Sequence, residues 1–322
     1  MSKEKDLAER RSRLSPSKLA LLQKRLGGES AEAHDAAGVA ARPPQPARGR
    51  SPLVPLQPAG ARPPFFCVHP SSGSVFGYLD LARRLGTDQP FYGLQSPGLD
   101  GGAEAYGGVE EMAADYVAAL LALDPRGPYL LGGWSLGGVI AYEMARQLAA
   151  QGRRTDLLAL FDIHPRSFGR ALTPEDYSLE VNWFIAELAR AFGKASPALM
   201  SELQALEPDE RVRYALEQAG AHGLIDEAEL AQLQLRFRVF KSNLRAAAGY
   251  TPQGYSGRVT VFRAAGEADG AAPPRLEANE LAAGGVETYD VPGRHQTMLR
   301  EPHVGVLARR LSECLSRGVG SS

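Results

Sequence analysis

From about residue 64 onward, short apolar runs alternate with stretches of helical length, and this rhythm leaves few folds open. The runs are continuous instead of strictly alternating with polar residues, which is typical of strands buried on both faces. They are Phe65–His69, Phe91–Leu94, Tyr129–Trp134, Leu157–Asp162, Arg258–Phe262 and Val286–Val291. Helical patterns lie between them at 75–85, 109–123, 137–151 and 303–316. This order predicts an α/β fold, with a mostly parallel central sheet and helices on both faces.

One long segment, about 166–250, interrupts this rhythm because its patterns are helical throughout. Apolar residues recur there at helical spacing in 178–192, 208–219 and 226–248. A helical insertion between two strands of a parallel sheet is well placed to cover an active site, so we predict a helical lid. The alternative is a helical layer that only thickens the core.

The N-terminal part of the chain differs from the rest in charge and composition. Residues 1–28 carry eight Lys or Arg and three acidic residues, a net charge of +5 that leaves −6 for the remaining chain. Ser15 and Pro16 there begin a short amphipathic pattern, which predicts a helix that is either a docking element or a solvated linker remnant. Residues 29–63 are rich in Pro and Ala and predict an extended linker, which leaves 64–318 as the folded domain.

Composition excludes several classes of protein. The 36 Lys and Arg nearly balance the 37 Asp and Glu, which argues against a nucleic-acid binder. The two cysteines, Cys67 and Cys314, are too few for a disulfide scaffold or a cysteine-rich zinc module. No apolar run approaches the roughly 20 residues of a membrane helix, and no signal-peptide core follows Met1. We therefore expect a cytoplasmic protein without membrane contact, metal or bound cofactor.

Residues Gly133 to Gly137 read Gly-Trp-Ser-Leu-Gly and fit the G-x-S-x-G pattern of a nucleophile elbow. A strand pattern precedes the motif directly and a helix pattern follows it directly, which is the setting that such an elbow requires. The glycines allow a tight turn that presents Ser135, and the amides of the helix N-terminus favour negative charge beside it. The motif predicts Ser135 as a catalytic nucleophile.

A carboxylate and a histidine that serve this serine are expected later in the chain, in that order. Asp162 ends the strand after the nucleophile helix, at the sheet edge where ligands bind. Asp290 is its rival because it also ends a strand. His295 lies on a loop late in the chain, and a side chain with an ordinary pKa of about 6.5 can accept and return the serine proton. His303, at the start of the last helix, is the second candidate for the base.

An oxyanion hole needs two backbone N–H donors. We expect one from Leu136, the residue after the nucleophile. The other should come from the loop after the first strong strand, where Pro70 has no N–H, so that Ser71 or Ser72 must donate. His69 in the same loop is predicted to be a structural residue.

Three stretches of the chain together resemble thioesterase domains that end nonribosomal peptide and polyketide assembly lines, which are members of the α/β-hydrolase superfamily. The stretches are Phe66–Gly73, Gly132–Ala145 and Gly293–Leu299, and Asn243–Arg263 resembles the family's return from lid to sheet. The resemblance covers about 60–316. It implies the α/β-hydrolase fold with a helical lid, a triad of Ser135, Asp162 and His295, and oxyanion donors at Leu136 and Ser71.

The resemblance also implies a reaction and a partner. The substrate would be an acyl, peptidyl or polyketide chain held as a thioester on the phosphopantetheine arm of a carrier protein or upstream synthase module. Ser135 would form an acyl-enzyme that water hydrolyses, and Trp183 and Phe184 of the lid would line an acyl channel. The chain contains no carrier domain, so we expect it to act in trans. No cofactor is implied.

Three other functions stay open at this stage. The same acyl-enzyme transfers its chain to a hydroxyl or an amine in a macrocyclase or acyltransferase. A generic esterase or lipase is disfavoured by the His-Pro-Ser-Ser-Gly loop, since many lipases use an H-G-G-G-type loop. An inert docking adaptor is disfavoured because the triad residues occur in the right order. Neither the acyl chain, the acceptor nor the oligomeric state follows from the sequence.

Overall fold

The computed structural model describes residues 51–101, 106–163, 173–192, 203, 205–266 and 282–318. The predicted N-terminal helix and the first part of the predicted linker lie outside the described residues. Within them, seven strands form one sheet: β1 (Leu53–Gln57), β2 (Phe65–Val68), β3 (Phe91–Leu94), β4 (Tyr129–Trp134), β5 (Thr155–Phe161), β6 (Val259–Ala264) and β7 (Val286–Val291). The helices are α1 (Leu79–Leu85), α2 (Val109–Leu123), α3 (Leu136–Ala150), α4 (Pro174–Phe192), α5 (Pro208–Ala221), α6 (Glu227–Ala248) and α7 (Val304–Gly318).

The strand order is β1-β3-β2-β4-β5-β6-β7, and every neighbouring pair from β3 to β7 is parallel. Strand β1 pairs antiparallel with β3, with Leu53 opposite Leu94. It lies inside the segment 29–63 whose composition predicts a linker, and that prediction is wrong for this stretch. A proline at position 55 is tolerated because β1 is an edge strand, and that proline is also why the composition suggested a linker.

Helices cover both faces of the sheet, as the apolar runs predicted. On one face α2 and α3 pack against each other, and Met112, Val139 and Met144 belong to the core on that side. On the other face α1 packs against α7, and Leu81 and Leu307 belong to a second core. No helix among the described residues is long and apolar enough to cross a bilayer. The mostly parallel α/β architecture is confirmed.

Helices α4, α5 and α6 form the predicted insertion between β5 and β6. They share an apolar cluster of their own, which includes Val181, Phe184, Val212 and Phe240. Helix α4 begins at residue 174, earlier than the predicted 178, and α6 begins at a capping box in which the Asp226 side chain accepts from a backbone N–H. The insertion therefore has its own small core.

The chain returns from the insertion to the sheet through a buried polar contact. The Tyr250 hydroxyl donates a hydrogen bond to Glu143 Oε2 at 2.9 Å, and Arg146 pairs with the same carboxylate at 2.7 Å. Desolvation raises the pKa of Glu143, but the hydrogen bonds from Arg146, Gln147 and Tyr250 outweigh it and lower the pKa overall, so the charge is compensated. Because Glu143 is on the helix that follows Ser135, this contact fastens the end of the insertion close to the elbow.

Candidate active site

The predicted elbow lies between β4 and α3. Ser135 has a φ of 56° and a ψ of −127°, a strained conformation for a residue with a side chain. A Cβ at Gly133 would lie 2.2 Å from the backbone of Gly137, and a Cβ at Gly137 would lie 2.3 Å from the Val68 carbonyl oxygen. Only glycine fits at these two positions, and their close packing holds Ser135 in its unusual geometry.

Asp162 and His295 meet beside this elbow. His295 Nδ1 lies 2.7 Å from Asp162 Oδ2, and both side chains are 13% exposed. Asp162 has a φ of 45°, a region that Asp tolerates better than most residues. Its backbone N–H donates to the Phe262 carbonyl at 2.7 Å, and its Oδ1 accepts from the Ala264 N–H at 2.8 Å. Strand β6 therefore fixes the carboxylate, and the carboxylate orients the imidazole.

The rival residues from the sequence lie elsewhere. Asp290 is exposed and forms an ion pair with Arg263 at 2.6 Å. His303 packs against Gly293, where a Cβ would lie 2.7 Å from its ring, and its carbonyl accepts hydrogen bonds in the first turn of α7. The structure thus brings Asp162 and His295 together and keeps the two rivals in structural positions.

Two tryptophans pack on the His295 ring. The Trp134 and Trp183 rings have centroids 4.8 Å and 4.9 Å from that of His295, with interplanar angles of 33° and 24°. Trp134 comes from the elbow and Trp183 from α4 of the insertion. The insertion therefore covers the imidazole with an apolar surface, which restricts the access of water to it.

The loop after β2 lies against the start of α3. The close approach at residue 137 brings the amide of Leu136 near this loop, which carries Ser71. Within the described parts of the chain, the backbone N–H groups of Leu136 and Ser71 donate to no other group. The Ser71 carbonyl accepts from Asn243 Nδ2 at 3.1 Å, so α6 of the insertion holds this loop.

His69 in the same loop is a structural residue, as its position suggested. It is fully buried, with Nδ1 2.7 Å from the Pro70 carbonyl oxygen and Nε2 2.7 Å from the Tyr116 hydroxyl. Burial disfavours its charged form and lowers its pKa from 6.5 to about 4. A neutral His69 donates to one oxygen and accepts from the other, and so fixes the backbone just before Ser71.

A cavity joins the predicted residues with others that the sequence did not indicate. Its walls include Ser135 and His295 together with Trp183 and Phe184, the two predicted lid residues. Among the residues that sequence reasoning missed are Glu180 and Phe240 on the same walls, and Asn243 behind the loop. Glu180 Oε2 accepts from the Ser71 hydroxyl at 3.0 Å. Desolvation raises the pKa of Glu180, although His295 and the Ser71 hydroxyl partly oppose the shift.

The described residues contain no group of His, Cys, Asp and Glu that would hold a metal ion. The cavity combines a strained serine with a histidine that is hydrogen-bonded to a carboxylate, and these are the groups that nucleophilic catalysis uses. This combination is suited to acyl transfer.

Comparison with known proteins agrees with this chemistry. A family model for the thioesterase domain matches residues 63–314. The chain belongs to the thioesterase domain family. Among curated proteins, the dimodular nonribosomal peptide synthase of Bacillus subtilis (strain 168) is 32% identical over 266 residues, which is 81% of this chain and 11% of that protein. The curated relatives are long synthetases, of which this chain spans between 2% and 29%.

Solved thioesterase structures share the fold. A four-domain nonribosomal peptide synthetase, holo-AB3403 bound to AMP and glycine, superposes with a TM-score of 0.67 at 29% identity, over 82% of this thioesterase and 20% of that chain. The NocB thioesterase domain from the nocardicin cluster superposes with a TM-score of 0.59 at 25% identity, over 82% and 98%. NocB has also been solved in covalent complex with a fluorophosphonate nocardicin G analogue. The α/β-hydrolase fold is therefore confirmed.

Proposed function

We propose that this thioesterase releases an acyl, peptidyl or polyketide chain from a phosphopantetheinyl carrier by hydrolysis, through an ester on Ser135. The observation that carries the proposal is the Asp162–His295 hydrogen bond beside a strained serine, in one cavity under the helical insertion. Family membership supports the reaction type. The partner is a carrier protein or upstream synthase module, as in the multidomain relatives, and the expected place of action is the cytoplasm.

The first half of the reaction acylates Ser135. His295 Nε2 takes the hydroxyl proton as Oγ attacks the thioester carbonyl carbon, and Asp162 holds Nδ1–H and stabilises the imidazolium that forms. The N–H groups of Leu136 and Ser71 stabilise the oxyanion, an interaction whose loss typically costs about 10²–10³ in rate. Collapse of the intermediate breaks the C–S bond, and His295 returns its proton to the departing thiolate of the carrier.

The second half frees the chain. His295 takes a proton from water as the water oxygen attacks the Ser135 ester carbonyl, and the same two N–H groups stabilise the second oxyanion. The ester C–O bond then breaks, Oγ regains the proton and the carboxylic acid leaves. Asp162 performs the same role in both halves because the imidazole charges and discharges in each.

Transfer to a hydroxyl or amine is the second candidate, and the cover over His295 favours it. Trp183 stacks on the imidazole, so water reaches the base less freely than in an open cleft. A nucleophile carried by the acyl chain itself enters with the chain and avoids this restriction. The triad acts identically in both cases, and only the second nucleophile differs.

A serine substitution and a product assay test the proposal. Ser135→Ala should abolish labelling by a fluorophosphonate and release of thiol from an acyl-pantetheine thioester. Ser74→Ala is the matched control, because Ser74 lines the same cavity and should leave labelling intact. Full turnover by Ser135→Ala would refute the mechanism. Mass spectrometry of the product, with and without added amines and alcohols, distinguishes hydrolysis from transfer.

A further inference from the structure

Glu180 is the acidic residue in the wall of the catalytic cavity. It lies on α4 of the insertion, and the same cavity is lined by Ser135 and His295. Its Oε2 accepts from the Ser71 hydroxyl at 3.0 Å, while Oε1 accepts no hydrogen bond from any described residue. The side chain is partly accessible because it faces the cavity, although protein atoms surround the rest of it. The triad mechanism gives this carboxylate no task.

The surroundings of Glu180 do not compensate a negative charge. Desolvation raises the pKa of Glu180 most; His295 and the Ser71 hydroxyl favour its ionisation, and Asp176 opposes it. Arg300 is the only Lys or Arg among the described residues that line the cavity; it is exposed, and no ion pair joins it to Glu180 within the described part of the chain. One neutral hydroxyl donor is a weak partner for a carboxylate removed from bulk water.

An uncompensated charge at this place also opposes the proposed reaction. The Ser71 hydroxyl that binds Glu180 belongs to the residue whose backbone N–H is expected to stabilise the oxyanion. A carboxylate so close to a developing negative charge raises the energy of the transition state. A cation bound to Glu180 removes this repulsion and adds attraction to the oxyanion.

The aromatic walls of the cavity suit a cation as well. Trp134, Trp183, Phe184 and Phe240 line it together with Glu180. The face of an aromatic ring attracts ammonium and guanidinium groups, most strongly where water is displaced. A carboxylate among aromatic rings therefore forms a binding site for an organic cation.

We propose that Glu180 binds an ammonium or guanidinium group of the acyl chain, close to the thioester carbonyl. The substrate class is then an acyl or peptidyl chain with a basic side chain at or next to the residue that is transferred to Ser135. This inference rests on the proposed function. It adds no covalent step, because the cation only pairs with Glu180 while acylation proceeds.

The test compares pantetheine thioesters that differ in charge and little in size. Nα-acetyl-lysyl and Nα-acetyl-ornithinyl thioesters carry an ammonium group, while Nα-acetyl-norleucyl and Nα,Nε-diacetyl-lysyl thioesters do not. Release of thiol gives kcat/KM, and mass spectrometry of the quenched enzyme gives acylation of Ser135. In the wild type, kcat/KM for the better of the two cationic thioesters should exceed kcat/KM for the neutral ones by at least about tenfold. This is the ratio expected from one charge-assisted hydrogen bond.

Variants assign the preference to the carboxylate. Glu180→Gln keeps an acceptor for the Ser71 hydroxyl and should reduce the ratio of kcat/KM between cationic and neutral thioesters to about one. Part of this change should come from a faster reaction of the norleucyl thioester, because the negative charge that opposes the oxyanion is gone. Glu180→Lys should favour a glutamyl thioester over a lysyl one. Glu175→Gln is the matched control, since Glu175 is exposed on the first turn of the same helix and should retain the wild-type preference. In the wild type the preference should fall at low pH, where Glu180 becomes protonated.

The failure of this inference differs from the failure of the proposed function. If no thioester acylates Ser135, the proposed function is wrong. If all thioesters acylate it with no preference for charge, or if Glu180→Gln keeps the full preference, the Glu180 site is wrong and the thioesterase proposal stands. Melting temperatures of the variants show whether a lost preference reflects a lost fold.

Discussion

Replacement of Asp162 by Asn tests whether Asp162 orients His295, the proposed base, without removing a side chain. In the wild type, Oδ1 accepts from the Ala264 N–H at 2.8 Å and Oδ2 faces His295 Nδ1 at 2.7 Å. Because the Ala264 N–H still requires an oxygen, the Asn amide nitrogen must face His295. It then donates to Nδ1 and places the ring proton on Nε2, the nitrogen that accepts the proton of Ser135 in the proposed mechanism.

The size of the effect follows from these two contacts. For Nε2 to accept a proton, the ring proton must move to Nδ1. The Nδ1–H and the Asn amide N–H are then two donors that face each other, which costs about 1–3 kcal/mol. Loss of the charged partner for the imidazolium costs a further ~1.5–3 kcal/mol. Together these amount to about 2.5–6 kcal/mol, and at about 1.4 kcal/mol for each factor of ten the acylation rate should fall by roughly 10²–10⁴. The free energy of unfolding should change little, since the hydrogen bond from Ala264 is kept.

Stopped-flow release of thiol from an acyl-pantetheine thioester measures this rate, and urea denaturation measures the stability. Asp290→Asn is the control, because Asp290 also ends a strand before His295 but is exposed and paired with Arg263. It should change the rate by less than about twofold, since exposed ion pairs contribute little. A larger loss in Asp290→Asn than in Asp162→Asn would refute the assignment of Asp162 as the residue that orients His295.

Two further predictions concern stability. Gly133→Ala places a Cβ 2.2 Å from the Gly137 backbone and should lower the free energy of unfolding by about 3 kcal/mol or more in urea denaturation. Gly220 has open space around it, so Gly220→Ala should raise the free energy of unfolding by about 0.5–1 kcal/mol. Equal effects of the two substitutions would contradict the packing argument. Burial lowers the pKa of His69 to about 4, so between about pH 6.5 and 4 the unfolded state binds more protons than the folded state. Because of this residue, the free energy of unfolding should fall by about 2.5 kcal/mol from pH 7 to pH 4.5. A variant without this imidazole, His69→Gln, should lack that part of the pH dependence, and an unchanged dependence would show that His69 is not the group responsible.

The parts of the fold and site that follow from the sequence are those encoded locally. Strands β2 to β4 are largely apolar runs, β5 and β6 have apolar centres, and β7 carries apolar residues between polar ones. The elbow combines two glycines with a strand and a helix, so short windows of sequence contain most of the signal. Asp162 and His295 follow from their positions at the end of one strand and after another. Strand β1 was missed because an edge strand is short, partly buried and tolerant of proline, which makes it look like a linker.

The missed site residues depend on contacts that no local window contains. Glu180 lies 109 positions from Ser71 along the chain, and Asn243 lies 172 positions from it. A weak signal was nevertheless present in each helix. Asn243 is 3% exposed among the apolar residues of α6, and Glu180 precedes Phe184 by four positions and so lies on the same face of α4. A polar residue on the apolar face of a lid helix therefore merits attention as a site residue.

The insertion does more than cover His295, because it also holds the loop of Ser71, whose backbone N–H we propose as an oxyanion donor. Helix α6 binds the Ser71 carbonyl through Asn243, helix α4 binds the Ser71 hydroxyl through Glu180, and a Cβ at Gly73 would lie 2.9 Å from Val239 of α6. A displacement of these helices would therefore also move Ser71 and its N–H group. An oxyanion donor contributes only when it is aimed at the developing charge, so we expect acylation to require the insertion in the position that the structure shows. On the proposed mechanism the acyl chain is bound under the insertion before Ser135 attacks, and we expect substitutions in α4 and α6 to change the choice of substrate at the chemical step.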